Sequence, residues 1–526
     1  MPNLRIDNRP VEVPPGATLL DAARRLGIEI PALCFLEGCT PSTSCMVCVV
    51  KVRNGGAAGD GRLVPSCAAR AEDGMQVESE TPEVHEARRA ALELLLSDHP
   101  GDCIALCQSA CPAHLNIPLM LRQTAGGDLA AAAETARAAL VLPATLGRIC
   151  TAPCEKVCRR GPHDAPLGIR LLHRRAGDSR LASGAAPLPP RQPATGKRVA
   201  IIGAGPTGLA AAWRLLQEGC GCTLFDDHEK PGGMLRYGVP ESRLPREVLD
   251  AETGLVAGLG AEFRTGVRIG RDLPLAVIQR EFDAVLIATG AAKESEPPAL
   301  GLGAASHGTE VDHRTHLTSV AGIFSAAGMV AHHQMAVRAV AGGAAAAGCI
   351  LQFLVGKPVT APHLSLTTRM GRLDAEETAQ LAGDASPEGR LTPSQGEAGG
   401  YTAEEARRES LRCMHCDCRK ATECKLRHYA AVCDASPSRH RGTRRRFEQD
   451  RSHPDIMYEP GKCIACGQCV QIAQRAGEPL GLAFQGRGFG VRVAAPLGGS
   501  MADGLRTAAA ECVAACPTGA LAFKRS

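Results

Sequence analysis

Charge of one sign is not in excess: 59 Lys and Arg against 55 Asp and Glu leave a net charge of +4 over 526 residues, so no nucleic-acid partner is expected. A secretory leader is missing too, because residues 1–6 are few, charged and run straight into a strand-like alternation. Long hydrophobic runs are scarce. The most apolar stretch, 339–356, is rich in Ala and Gly and carries Gln352, which predicts a buried helix and no membrane span. No Ser-His-Asp set, paired carboxylates or other acid–base constellation stands out, so the hard chemistry falls to cofactors. With 44% hydrophobic residues the chain can bury the three or four domains its length suggests.

Cysteine, by contrast, is abundant: there are 24, most of them in spaced clusters. Disulfide frameworks belong to short secreted chains; in a long chain without a leader the same residues point to bound metal in a reducing cytoplasm. The expected architecture is multidomain, α+β and α/β. Residues 1–82 form a small β-rich domain with spaced cysteines and 83–180 a helical domain with more of them. Residues 181–196, with Pro187, Pro189, Pro190 and Pro193, are a linker. Residues 197–357 are a Rossmann-like domain, 358–450 a connector with a Cys-rich cluster, and 451–526 a further cysteine-bearing domain.

In the first domain the segments around Leu4–Ile6 and Val11–Val13 alternate like a hairpin across Asp7-Asn8. Cys34, Cys45, Cys48 and Cys67 then follow a C-x10-C-x2-C-x18-C spacing, which suits four thiolates around a [2Fe–2S] cluster. Zinc is the alternative. Cys39 is extra; a C-x4-C spacing would let it replace Cys34, and a spare thiol is the reading adopted here. Further on, Cys413-x2-Cys416-x-Cys418-x5-Cys424 packs four thiols into one short loop. That set suits one [4Fe–4S] cluster, with zinc as a rival. The basic stretch 439–446 reads as a solvated loop or a surface for an acidic partner.

A single glycine-rich loop sits between the cysteine clusters. Gly203, Gly205 and Gly208, with Pro206 inside the loop, follow an apolar strand and open a helix. That is the arrangement in which a dinucleotide pyrophosphate meets a helix N-terminus. A second strand ends at Asp226, placed for a ribose hydroxyl.

The N-terminal stretches IPALCFLEGCTPSTSCMVCVVKV and LVPSCAARAEDGMQV resemble the ferredoxin domain of the large iron–sulfur subunit of respiratory complex I and its hydrogenase and formate dehydrogenase relatives, which implies a β-grasp-like fold. LLLSDHPGDC also resembles that subunit, where a His and three Cys hold a [4Fe–4S] cluster. From Cys107 onward CPAHLNIPLMLRQ and LGRICTAPCEKVC resemble the N-terminal domain of glutamate synthase small subunits and dihydropyrimidine dehydrogenase. That resemblance implies two clusters: one on Cys103, Cys107 and Cys158 with His99 as fourth ligand, the other on Cys111, Cys150 and Cys154 with His173.

KPGGMLRYGVPESRLPREVLD, with Gly233 and Met234, resembles the flavin-binding stretch of the glutamate synthase family. FDAVLIATGA, with Thr289 and Gly290, and TSVAGIFSAAGMV, with Gly328, match two further signatures. The family's acidic residue after that last glycine is Met329 here, one polar contact fewer for FAD. The family also carries a second dinucleotide domain of on the order of 100 residues. Only positions 291–321 separate Gly290 from Gly322, and the GLGAAS at Gly301 follows no apolar strand. A built-in NAD(P)H site is therefore not expected.

Residues 455–526 resemble a bacterial two-cluster ferredoxin, where each run reads C-x2-C-x2-C-x3-C-P and each fourth Cys serves the other cluster. Cys463, Cys466, Cys469 and Cys516 remain complete, whereas the other set has become Arg506, Ala509 and Ala473 around a lone Cys512. One [4Fe–4S] cluster is expected. The resemblances together imply an oxidoreductase subunit that passes electrons between FAD, a [2Fe–2S] cluster, about four [4Fe–4S] clusters, and partner redox subunits of formate dehydrogenase, hydrogenase or NADH-oxidising type, or ferredoxin. The alternatives are a self-contained NAD(P)H-dependent reductase and a non-enzymatic scaffold.

Overall fold

A computed structural model describes every residue except 54–60, 183, 185–187, 291–300, 306–307, 327–334, 362–365, 441 and 525–526. The chain divides into two units: Met1–Ile104, Ser365–Gly383 and Cys416–Ser526 form one, and Ala105–Leu364 with Asp384–His415 forms the other. The second is thus inserted twice into the first along the sequence.

The first unit begins with a five-stranded sheet. β1 (Asn3–Ile6) pairs antiparallel with β2 (Arg9–Glu12), Leu4 opposite Val11 and Ile6 opposite Arg9. Asp7 and Asn8 both take positive φ, 48° and 65°, as a two-residue hairpin turn that follows the strand twist requires. β3 (Val49–Arg53), β4 (Arg62–Pro65) and β5 (Gln76–Glu78) complete the order β2-β1-β5-β3-β4, with β1 and β5 parallel. The helix Leu19–Arg25 starts on a Thr18–Asp21 capping box and buries Leu19 and Leu20 among Leu4, Ile6, Val50 and Val77. At the other end of the unit, strands Ile456–Tyr458 and Leu521–Phe523 pair antiparallel, as do Ala483–Gln485 and Arg492–Ala494. The helices Gln468–Arg475 and Ala509–Ala515 close the core at this end.

In the second unit, helices run from Leu106–Ala110 to Ile169–Ala182, followed by a parallel sheet. β6 (Arg198–Ile202), β7 (Gly221–Asp226), β8 (Glu262–Thr265) and β9 (Ala284–Ile287) join the strand Ile323–Ser325 in the order Ile323–Ser325, β9, β6, β7, β8. Among the described residues one helix, Ala336–Leu354, is long and apolar enough to cross a membrane. It packs on the helix Pro206–Gln217 so closely that a Cβ at Gly343 would lie 2.1 Å from the Thr207 carbonyl oxygen.

The stretch expected as a connector, 358–450, is not one element. Its part 384–415 belongs to the second unit, where the helix Ala403–Leu411 begins on a Thr402–Glu405 capping box. Arg412, fully buried, bonds Glu409 at 2.8 Å and Asp164 at 3.1 Å. Glu409 also accepts the backbone N–H of Gly168 and Leu391, both at 2.9 Å. Charges that read as surface in sequence therefore lock this segment onto residues 164–168. The basic stretch likewise finds partners inside the first unit: Arg444 on Glu377, Arg445 on Asp98, Arg446 on Glu376.

Candidate metal centres and nucleotide cradle

Cys34, Cys45, Cys48 and Cys67 come together as expected from their spacing, all buried. Cys34 shares hydrogen bonds with Cys45 and Cys67, and Cys48 with Cys67. The Cys45 contact, then Cys67, pull the Cys34 thiol far down and Cys67 lowers Cys48 to about 7, while the same contacts push the Cys45 and Cys67 thiols up, so protons are shared within the set. Thiolate is the form that binds iron. Cys39 stands outside the set, 3.9 Å from the Arg475 guanidinium.

The next set differs from the one read in sequence. Cys103 groups with Cys418 and Cys424, whose thiols both lie within its electrostatic reach. Cys418 and Cys424 thus meet a cysteine from far along the chain, where the sequence grouped them with Cys413 and Cys416 in one short loop. The physical cause is the pairing of two Asp-Cys dipeptides. Asp102 forms a parallel bridge with Asp417, aligning Cys103 with Cys418. Thr368 fastens the first strand, its hydroxyl donating to Gly101 O at 2.5 Å and lying 3.3 Å from Cys103 Sγ, while Met370 N–H donates to Asp102 at 2.9 Å. His99 lies nearby: a Cβ on Gly101 would be 3.6 Å from its Nε2 and 2.8 Å from Lys462 Cε. Burial, and then the Lys462 ammonium, pull its imidazole down to about 4, leaving it neutral, as a metal ligand must be.

In the second unit Cys111, Cys150, Cys154 and His173 line one cavity of about 330 Å³, with Leu115, Leu146 and Ile169 around them. Cys111 ends the helix Leu106–Ala110 and Cys150 ends Pro143–Ile149, so helix termini aim the thiols. His173 is buried, with Nδ1 3.2 Å from the Pro143 carbonyl oxygen. That contact assigns the proton to Nδ1 and leaves Nε2 as a ligand atom. Burial lowers its pKa to about 4. The helix Leu106–Ala110, which carries Cys107, packs on Pro153–Lys156 just ahead of Cys158. Arg412 bonds Ala165 O at 3.0 Å, which sets Cys413 beside that same loop.

Glu252, 1% exposed, accepts the backbone N–H of Ala144 and Thr145 at 2.9 and 2.8 Å, at the start of the helix that ends in Cys150. Burial nevertheless pushes its carboxyl up to about 7. The folded chain holds this proton more tightly than the unfolded one, so stability is greatest below the ordinary value of 4.5 and declines as pH rises to about 7. The loss is at most on the order of 3 kcal/mol. Thermal melts between these pH values should show Glu252→Gln with a flatter dependence than the parent; equal slopes would contradict this assignment.

Cys463, Cys466, Cys469 and Cys516 line a cavity of about 360 Å³ with Tyr458, Gln468 and Thr518. The second ferredoxin set has become core: Ala473, Ala509 and Cys512 pack with Ile472, Leu505 and Val513, and the Cys512 thiol donates to Cys469 O at 3.7 Å. The three ligand sets of this unit meet. Cys34 and Cys45, Cys424 and Cys466 all belong to one apolar core with Leu33, Leu92 and Leu96. Gln468 donates to Leu33 O and Phe35 O at 3.0 Å, and Ser42 to Cys466 O at 2.8 Å.

In the nucleotide cradle, a Cβ on Gly203 would lie 2.3 Å from Ala288 O and one on Gly208 only 1.9 Å from Gly203 O. These two glycines are demanded by the turn itself. A Cβ on Gly205 would meet only Gly233 Cα, at 3.7 Å, so the space over Gly205 is left by the protein, as a pyrophosphate requires. Pro206 opens the helix and Met234, 70% exposed, follows Gly233. Asp226 is turned inward: it accepts Ala204 N–H at 2.7 Å and His228 N–H at 3.0 Å, so it braces the loop. His228 Nδ1 also lies 2.9 Å from the oxygen that takes the His228 N–H, so the oxygen bonded to Ala204 is the one that keeps a lone pair for a ribose. Thr289 and Gly290 follow β9 at the same strand ends. Gly328 and Met329 lie outside the described residues.

Sequence reading missed the joining of Cys103 to Cys418 and Cys424. The repeated Asp-Cys dipeptide was its signal, since lifting out the intervening chain leaves His-x3-Cys followed by Cys-x5-Cys. It also missed Lys462 and Glu459, an ion pair in which both partners are buried.

Three family models match. Residues 2–82 match a 2Fe-2S iron–sulfur cluster binding domain, 80–185 the 4Fe-4S cluster domain II of dihydropyrimidine dehydrogenase, and 201–260 an NAD(P)-binding Rossmann-like domain. The NADP(+)-dependent formate dehydrogenase subunit beta of Moorella thermoacetica is 39% identical over 207 residues, 35% of this chain and 29% of that protein. The NADPH-Fe(3+) oxidoreductase subunit beta of Geobacter sulfurreducens is 36% identical over 189 residues, 36% of this chain and 28% of that protein. The glutamate synthase [NADPH] small chain of Mycobacterium tuberculosis is 37% identical over 202 residues, 38% of this chain and 41% of that protein. The matches thus span well under half of these relatives. The chain joins a [2Fe–2S] domain, a dihydropyrimidine dehydrogenase-type [4Fe–4S] domain and a Rossmann-like dinucleotide domain, and over part of its length it is homologous to glutamate synthase small chains and to beta subunits of NADP(H)-linked oxidoreductases.

Proposed function

We propose that the chain is a cytoplasmic iron–sulfur flavoprotein subunit of an oxidoreductase, carrying electrons between FAD, its clusters and partner redox subunits. The carrying observation is the apolar core shared by Cys34, Cys45, Cys424 and Cys466, since centres held by neighbouring ligands in a dry core suit electron transfer. Cys34, Cys45, Cys48 and Cys67 would hold a [2Fe–2S] cluster. Three sets would hold [4Fe–4S] clusters: His99 with Cys103, Cys418 and Cys424; Cys111, Cys150 and Cys154 with His173; and Cys463, Cys466, Cys469 and Cys516. Cys107, Cys158 and Cys413 offer three thiolates for a further one. When bound, clusters supply one-electron steps and a flavin links them to two-electron chemistry. The protein's part is to position the ligands, exclude water and set charge around each centre.

Anaerobic purification with iron and acid-labile sulfide assays tests this reading. About 18 iron atoms per chain are expected, and fewer than about 12 would overturn the multi-cluster reading. The NAD(P)-binding description of the matching Rossmann model favours a second reading, in which the cradle takes NAD(P)H directly. Chromatography of the nucleotide released on denaturation separates the two: FAD supports the first, nicotinamide dinucleotide alone the second. Partners of formate dehydrogenase, hydrogenase or NADH-oxidising type, or a ferredoxin, fit the first.

A further inference from the structure

We infer that Lys462 and Glu459 form a buried charge pair that raises the reduction potential of the centre at His99, Cys103, Cys418 and Cys424; this rests on the cluster reading proposed above. Both side chains are almost fully buried, and the Lys462 ammonium bonds a Glu459 carboxylate oxygen. The other Glu459 oxygen accepts Gln449 Nε2 at 3.0 Å, and Glu459 N–H donates to Ala520 O at 2.8 Å. The carboxylate is thereby fixed on its far side.

The lysine stem lies against the ligand set. A Cβ on Gly101, two residues from both His99 and Cys103, would meet Lys462 Cε at 2.8 Å. One on Gly519 would be 3.8 Å from Lys462 Cδ and 2.4 Å from Cys418 Sγ. Lys462 is also the neighbour that acts on Cys418 ahead of Glu459, so the positive end of the pair faces the thiols. The Lys462 carbonyl is tied by the Thr518 hydroxyl at 2.9 Å, which pins the turn Pro460–Lys462. A buried ion pair is poor evidence for stability, because desolvation consumes most of the Coulomb gain. Its charges act instead on what lies beside them. Reduction adds one negative charge to a cluster, and a near, poorly screened ammonium favours that state while the farther carboxylate opposes it.

EPR-monitored redox titration of the full, iron-loaded chain tests this. Cys418→Ser first identifies the signal of this centre by its loss. Lys462→Gln should then lower the midpoint of that signal, shifting the reduced-to-oxidised ratio at fixed potential at least about tenfold, about 59 mV for one electron. Glu459→Gln should raise it, and Lys462→Arg should leave it near the parent. A role in packing alone would not give opposite signs for the two neutral variants. Midpoints that stay put, or move the same way in both, overturn the inference while leaving the cluster in place. If Cys418→Ser removes no signal, the cluster reading falls and the inference with it. Should Lys462→Gln fail to fold, Glu459→Gln and Lys462→Arg decide: a rise in the first and none in the second supports the inference, anything else overturns it.

Discussion

Cys516→Ser is expected to lose one [4Fe–4S] cluster, roughly four iron atoms per chain, while Cys512→Ser keeps the full content. The two residues lie in one short segment, Cys512 inside the helix Ala509–Ala515 and Cys516 at its end, so general disruption would strike both. Their surroundings differ. Cys516 lines the cavity with Cys463, Cys466 and Cys469, whereas Cys512 is wholly buried among Ala473, Ala509 and Val513. A thiol in that place is a small hydrophobe, and a serine there costs about 1–2 kcal/mol for its buried hydroxyl, with the backbone oxygen of Cys469 near enough to accept it. Iron counting with low-temperature EPR of the reduced proteins separates the variants; equal loss of signal in both would make Cys512 a ligand.

Gly205→Ala should strip the nucleotide and leave the iron. The backbone at Gly205 has φ −79° and ψ −173°, which any residue adopts, and its Cβ would make only an ordinary contact with Gly233. The variant therefore folds, yet its methyl stands where the pyrophosphate would approach the helix N-terminus. Affinity should fall at least about tenfold, about 1.4 kcal/mol. Gly208→Ala is the contrast: its Cβ would collide with Gly203 O, so the turn itself breaks and the domain melts earlier. Flavin absorbance after desalting, set beside the melting temperature of each variant, checks both. Stoichiometric flavin retained in Gly205→Ala would place the phosphate elsewhere.

Local rules carried the sequence reading far. The Asp7-Asn8 hairpin and the strand–turn–helix around Gly203 depend on residues near one another in sequence, and both read correctly. The reading faltered where chain distance misled. Cys103, Cys107 and Cys111 look like one run because a fixed three-residue gap separates them, yet Cys103 lies within electrostatic reach of Cys418 and Cys424. Nothing local says that Cys103 awaits Cys418. Asp226 misled in a smaller way: its place at a strand end fits a ribose, yet two backbone N–H groups reach it first. Buried charges such as Arg412, Glu409, Lys462 and Glu459 were equally hidden, since sequence gives the charge but not the neighbour that takes it out of water.

The divided ligand set also imposes an order on biogenesis. His99 and Cys103 leave the ribosome with the first unit's sheet, but Cys418 and Cys424 follow only after the whole inserted unit, roughly half a minute later at ordinary elongation rates. During that interval the Cys34, Cys45, Cys48 and Cys67 set is complete, and the His99 half-site is not. Iron–sulfur delivery to the proposed centre is thus a late event, which waits until the chain has come back to the spot where Asp102 meets Asp417. A nascent chain arrested near residue 400 should carry the [2Fe–2S] chromophore and lack this one.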